Sequence, residues 1–320
     1  MLVAAGHSCI CAGELIRVTI RSMDASLSPS RARVSDARWV IPALASVYLI
    51  WGSTYLAMRV AVEGIPPFFM ASSRFVVAGL VLLGVLRVRG APWPSWREWL
   101  WAVPVGTLMF ALGNGTVALA ERHISSGVAA VVCGTMPLGF AALGPLFGER
   151  TSSREWFALT LGFVGVGVLG LGGEVRAEPL SALLLLVAPV SWAVGSLLAR
   201  RLPLAKGLMS AATQMVTGGA VMALVSALLG EAVPSSPPVR SMLAWAYLAV
   251  FGSLFGYTAY TYLLRHTRPA VATSYSYVNP AVAVALGAAL GGERVGLETV
   301  VAVALIIAAT LLVVLARRAS

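Results

Sequence analysis

Long apolar runs separated by short polar segments fill almost the whole chain after residue 38. They fall at about 39–62, 66–86, 99–120, 125–147, 156–173, 179–199, 208–229, 242–264, 269–290 and 296–316. Each is near the ~20 residues an α-helix needs to cross ~30 Å of hydrocarbon. The pattern predicts ten transmembrane helices. A closed β-barrel also satisfies its backbone in lipid, but its strands are short segments of alternating polarity, and these runs are continuous. The expected fold class is all-α integral membrane.

The runs carry an internal repeat. Arg122-His123 stands seven residues before Ala129 and fifteen before Pro137, and Arg265-His266 stands at the same distances before Ala272 and Pro280, a shift of 143. The cassette closes with Gly148-Glu149-Arg150 and again with Gly292-Glu293-Arg294, where one inserted residue makes the shift 144; Trp51 and Arg59 recur as Trp192 and Arg200 at a shift of 141. The chain therefore divides into a first repeat of five helices, 39–173, and a second, 179–316. Two homologous halves create an interface near the bilayer midplane, where many transporters place their substrate site. Residues 1–38 are polar and Arg-rich and lack a cleavage site after an apolar core. They read as a disordered cytoplasmic tail, with Met23 as an alternative start.

Composition places the chain in lipid, since 58% of residues are apolar and 11% charged. The net charge of +10 raises the question of nucleic acid, and the positions of the 23 basic residues answer it. With a cytoplasmic N-terminus, seventeen fall in inside segments, four (Arg122, Arg176, Arg240, Arg294) fall outside, and Arg59 and Arg74 lie within spans. This bias is the positive-inside rule and argues for topology, not nucleic acid; it puts both termini in the cytoplasm. Five helices per repeat, an odd number, give the two halves opposite orientations. Tryptophans 39, 93, 96, 99, 101, 156 and 245 fall near span ends as an interfacial belt, whereas Trp51 and Trp192 lie within spans. Cys9, Cys11 and Cys133 have no metal-ligand spacing, the three histidines form no HxxxH pair, and both aspartates sit in the tail. No metal, cofactor or catalytic residue is expected, which argues against a membrane enzyme acting on lipid. The alternative is a structural subunit that binds a partner through its tail, residues 1–38.

A proton-driven exporter of cations keeps an acid deep in the membrane. Glu63, Glu121, Glu149 and Glu293 all stand at helix ends, where water is expected to reach them. The substrate is therefore expected to be neutral, zwitterionic or anionic. Arg74 is the clear intramembrane charge, read either as attracting a substrate carboxylate or as snorkelling toward a helix end. Arg59 lies about a turn from a helix end. Ser253, Tyr257, Tyr260 and Thr261 share one face of the eighth helix, and the repeat maps Tyr257 onto Asn114. Trp51, Thr54, Tyr55 and Met58 share a face of the first helix, with Trp192 and Ser196 on its repeat mate. Thr213 and Gln214 fall near the depth of Ser73 and Arg74, in a loose alignment. The ninth helix carries a polar run, Thr273 to Tyr277 with Asn279, ahead of Pro280. Pro280 and its mate Pro137 weaken their helices and are candidate hinges. The candidate cavity thus comprises Trp51, Tyr55, Arg74, Asn114, Trp192, Tyr257, Tyr260, Tyr275 and Asn279. Interhelical hydrogen bonding is the alternative reading for the polar positions. Glycines 162, 165, 167, 170 and 172 read as close helix packing.

The string WGSTYLAMRVAVEGIPPFFMASSRF, the cassettes RHISSGVAAVVCGTMPL and RHTRPAVATSYSYVNP and the FGER and GGER endings resemble the EamA-type transporters of the drug/metabolite transporter superfamily, over about residues 40–316. The resemblance implies two inverted five-helix EamA repeats around a cavity lined by helices 1, 3, 4, 6, 8 and 9. It also implies export of small metabolites such as amino acids, although family members include importers and facilitators. The partners expected are a small-molecule substrate and the lipid bilayer of the cell membrane, with a homodimer possible.

Overall fold

The computed structural model describes residues 39–148, 152–172, 175–176, 178–267, 271 and 274–319, and every regular element among them is helical. The expected tail 1–38, Glu149 and Arg150 of the first cassette ending, and Ala272 and Thr273 lie outside the described residues. In chain order the helices are α1 (Val40–Val62), α2 (Pro67–Val88), α3 (Trp96–Ala120), α4 (Ser126–Phe147), α5 (Ser153–Leu169), α6 (Pro179–Ala199), α7 (Leu208–Leu228), α8 (Val239–Leu263), α9 (Tyr275–Leu290) and α10 (Leu297–Ala319). Eight of these are long and apolar enough to cross a membrane; α5 and α9, of 17 and 16 residues, are shorter than the expected runs. Large apolar side chains point outward around the bundle, such as Ile41, Leu80, Leu146, Phe163, Leu183 and Leu243, each more than half exposed. A water-soluble bundle buries such a surface, and lipid solvates it.

Local sequence sets the helix ends. Ser95 with Glu98 and Ser152 with Glu155 form capping boxes that start α3 and α5. Pro67 and Pro179 occupy first-turn positions, where the missing N–H costs nothing. Three departures from straight α-helix bear on the site. α4 breaks at Gly134-Thr135, with Pro137 in the first turn of its second piece, whereas Pro280 sits inside a continuous α9. α3 and α8 each contain a π-helical stretch, Thr107–Gly115 and Leu248–Phe255, at equivalent places in the two repeats. Such stretches re-aim the side chains that follow them.

The halves interlock as a two-fold pair. α2 packs on α7 and α5 on α10, while α1 meets α8 and α9 just as α6 meets α3 and α4. The contact between α2 and α7 is reciprocal at the level of atoms. A Cβ on Gly79 would lie 2.8 Å from Val216 Cγ2, and one on Gly219 would lie 2.7 Å from Val76 Cγ2. Both relations imply a shift of 140, which fixes the alignment left loose by the sequence and pairs Arg74 with Gln214. The same reciprocity recurs nearer the centre. Gly113 lies under the Trp192 ring, and Gly256 lies against the Trp51 indole, whose Nε1 donates to Gly252 O at 3.1 Å.

Candidate functional site: a central cavity between the repeats

Seven helices, α1, α2, α3, α4, α6, α8 and α9, surround a cavity of about 880 Å³, open mouth included. Trp51, Tyr55, Arg74, Asn114, Trp192, Tyr257, Tyr275 and Asn279 all line it. Tyr260 does not, but it stands behind the wall with its ring 5.3 Å from Trp51. Pro280 is part of the wall and Pro137 is not, although its neighbour Met136 is. Thr213 and Gln214 are buried in α7, away from the lining, where Gln214 Nε2 donates to Ser210 Oγ. The participation of α2 goes beyond the six helices implied by resemblance, and it brings Arg74 and Phe75.

Trp51 is the hub of the wall. Its ring centroid lies 5.4 Å from Tyr257 and 4.8 Å from Tyr275, both edge-on. Phe110 continues the chain of rings to Tyr257 at 5.8 Å and to Trp192 at 6.1 Å. Edge-to-face contacts of this kind hold rings rigidly and add about 0.5–1.5 kcal/mol each beyond area burial.

Arg74 supplies the polarity. It is 2% exposed, so it does not snorkel to water. Its Nη2 donates to Asn114 Oδ1 at 3.0 Å and lies 3.5 Å from Met58 Sδ, and its guanidinium rests 4.3 Å above the Phe75 ring. No carboxylate is among the lining residues. Three buried polar atoms on this wall, Arg74 Nε, Ser253 Oγ and Asn279 Oδ1, have no hydrogen-bond partner among the described residues. Buried polar groups are nearly always paired, so three unpaired ones on one cavity wall set this region apart from the rest of the bundle.

Past Met58 and Val117, hydrogen bonds tie the helix ends together and Glu121 is fully buried. Arg59 Nη1 donates to the carbonyls of Glu121, at 2.9 Å, and Ile124, closing the α3–α4 turn. Glu293, from the other repeat, accepts from Ser126 N at 2.8 Å and Gly127 N at 3.1 Å, capping α4. Glu231 caps α2 in the same manner through Phe68 N and Phe69 N. Glu63 remains half exposed beside Arg240. Glu121 corrects the expectation that water reaches it, because it is 0% exposed beneath the Arg59 and Glu293 contacts. A helix-end position in the sequence does not show that a second repeat folds over that end.

Sequence reasoning missed Phe75, Val117, Met136 and Pro189 on the wall, and Cys133 was noted only as lying in a span. These residues are apolar or weakly polar, so only packing distinguishes them from lipid-facing neighbours. Trp245, expected in the interfacial belt, donates from Nε1 to Ser73 Oγ at 2.9 Å.

Comparison with known proteins agrees with this architecture. The EamA-like transporter family matches twice, over residues 38–171 and 179–315. The chain is 42% identical over 276 residues to the uncharacterized inner membrane transporter YedA of Escherichia coli K12, covering 86% of this chain and 90% of that protein. It is 27% identical to the uncharacterized transporter YoaV of Bacillus subtilis, covering 68% and 73%, and 26% identical to Protein PagO of Salmonella typhimurium, covering 75% and 81%. A solved crystal structure superposes with a TM-score of 0.61 at 20% identity, covering 87% of this chain and 98% of that one, a likeness of fold alone. With a duplicated family match, apolar helices and an inner-membrane relative at this identity, the chain is a multi-pass protein of the cell membrane and belongs to the EamA-like transporter family of the drug/metabolite transporter superfamily.

Proposed function

We propose that the protein moves a small amino acid-like or other anionic, zwitterionic or neutral metabolite across the cell membrane by alternating access, in the direction of export. All ten helices span the bilayer in this reading, as two inverted repeats with both termini cytoplasmic, and the repeats rock about the central cavity. The observation that carries the proposal is the cavity wall itself, where a buried guanidinium and two further unpartnered polar atoms sit within a rigid aromatic frame and no carboxylate is present. A carboxylate on the solute would pair with Arg74, and its apolar part would lie against Trp51 and Tyr257. A cationic drug would meet a like charge there and no counter-charge. The reciprocal packing of α2 on α7 and the Trp–Gly contacts at 51/256 and 192/113 support two similarly built halves that move against each other. The break in α4 and the proline within α9 give each half a deformable point.

The test is efflux from liposomes loaded with a mixed extract of cell metabolites, followed by mass spectrometry of what leaves. Selective loss of carboxylate-bearing compounds, absent with Tyr257→Ala, is expected. Equal release by both proteins, or none by either, would contradict the proposal. An uncoupled facilitator would give the same selectivity and no response to a proton gradient.

A further inference from the structure

Three described carboxylates near the Glu121 end are occupied, whereas that of Glu121 itself is not. Glu231 and Glu293 each accept two backbone N–H groups, and Glu63 faces Arg240. Glu121 is 0% exposed, and neither of its carboxylate oxygens has a hydrogen-bond partner. Arg59 approaches the same residue but spends its Nη1 donor on the backbone carbonyls of Glu121 and Ile124. An ionised carboxylate with no donors in such a place is among the costliest arrangements a fold can hold, and it resolves when the group takes up a proton.

The surroundings can be named element by element. Arg59 and Tyr55 face Glu121 from α1, Arg74 from α2, Cys133 from α4, and Glu293 from the turn before α10. Arg122 and His123, next along its own turn, are exposed. Glu121 itself stands just beyond the span Trp96–Ala120. Burial pushes its carboxyl well above the usual carboxylate range, Glu293 adds to this, and Arg59 and Arg74 oppose it.

Position ties this group to the cavity without making it part of the wall. Val117, one helical turn earlier, and Met58, adjacent to Arg59, both line the cavity. Arg59 and the Glu293 cap both stand close to Glu121, and Glu293 belongs to the other repeat. Separation of the two repeats at this end would remove the cap and admit water.

We infer that Glu121 is a proton-binding site that couples proton movement to transport, holding the proton while this end is sealed and exchanging it with water when the repeats part. Opening transfers the proton from the carboxyl to water and leaves a carboxylate beside Arg59; closing requires the reverse. The inference rests on the transporter reading above, and it adds the ion that the cavity alone does not supply.

Its first test does not depend on transport. Infrared spectra of the purified protein at neutral pH should show a protonated carboxylic-acid band that shifts in deuterium oxide. That band should be absent in Glu121→Gln and present in both Glu121→Asp and Glu293→Gln, which keep respectively the acid and the cap acceptor. Persistence of the band in Glu121→Gln, or its absence from the wild type, overturns the proton site whatever the flux. The second test imposes a pH gradient of either polarity on liposomes loaded with the metabolite extract. Flux of the wild type should follow the gradient, and Glu121→Gln should lose that response. If the band is present and wild-type flux ignores the gradient, coupling is overturned while the transporter reading stands. If no compound crosses under any gradient, the transporter reading falls and takes the coupling with it.

Discussion

Arg74 carries the only charge among the cavity-lining residues, and its hydrogen-bond partners are neutral. A guanidinium held this way is preorganised for a carboxylate, since the contact to Asn114 fixes one arm while Nε stays unpaired. A charge-assisted bond contributes about 1.5–3 kcal/mol. Arg74→Gln is therefore expected to weaken export of a carboxylate metabolite by roughly 10- to 100-fold, measured as initial liposome flux against substrate concentration. Arg74→Lys should recover only part of this, because an ammonium lacks the planar fork.

Glu121 yields a prediction in stability. The unfolded chain ionises a glutamate near pH ~4.3, and the folded protein does so at higher pH. The stability of the protonated form is thus fully present below the unfolded value and lost as pH rises through the folded one. Glutamine cannot ionise. The Tm of Glu121→Gln minus that of the wild type should accordingly grow as pH rises above about 5, read by thermal unfolding in detergent. A gap independent of pH would remove the buried carboxyl from the account. At this scale the sequence was informative for Trp51, Asn114 and Tyr257, whose helical spacing and repeat shift placed them on one cavity. It was misleading for Glu121, because Glu293, which stands close to it in the fold, lies some 170 residues away in the chain.

Two kinds of element shape the site. The π-helical stretches in α3 and α8 precede Thr116 and Gly256, and each ends beside residues that face the cavity, Asn114 in one repeat and Tyr257 in the other. Nothing in local composition announces a π turn, so neither was expected. The other element is the close approach of α2 and α7. Gly79→Val is expected to cost about 1–3 kcal/mol through overpacking against Val216, Met215 and the Ala212 carbonyl. Gly84 has nothing within 4 Å of a built Cβ, and Gly84→Ala should be neutral or stabilising by up to about 1 kcal/mol. Parallel thermal unfolding of the two variants checks this contrast. Removing a cap gives a third reading, since Glu231→Ala leaves Phe68 N and Phe69 N without their acceptor and should cost about 0.5–2 kcal/mol. Sequence placed the helices well because their apolar runs are long. It also placed a deformable point at Pro137, and the break in α4 falls just before that proline, at Gly134-Thr135.

For the whole molecule, the repeat was visible in the spacing of Arg-His, Ala, Pro and Gly-Glu-Arg, yet the register of α2 against α7 needed atoms. The 140-residue shift emerged only when Gly79 met Val216 and Gly219 met Val76. Under the proposed alternating access, that reciprocity lets the two halves exchange conformations, one opening as the other closes. Rocking of this kind must expose the central cavity to both sides of the membrane in turn. Cys133 lines that cavity and is the free cysteine among the described residues, a native reporter of its access. The measurement is the rate of Cys133 modification by a membrane-impermeant thiol reagent in the Cys9→Ser/Cys11→Ser background. It compares right-side-out with inside-out vesicles, and Ala188→Cys, on α6, serves as a second reporter among the lining residues. The account predicts labelling of both positions from either side, slowed by the transported metabolite. Labelling confined to one side for both reporters, whatever solute or gradient is applied, would contradict alternating access through this cavity.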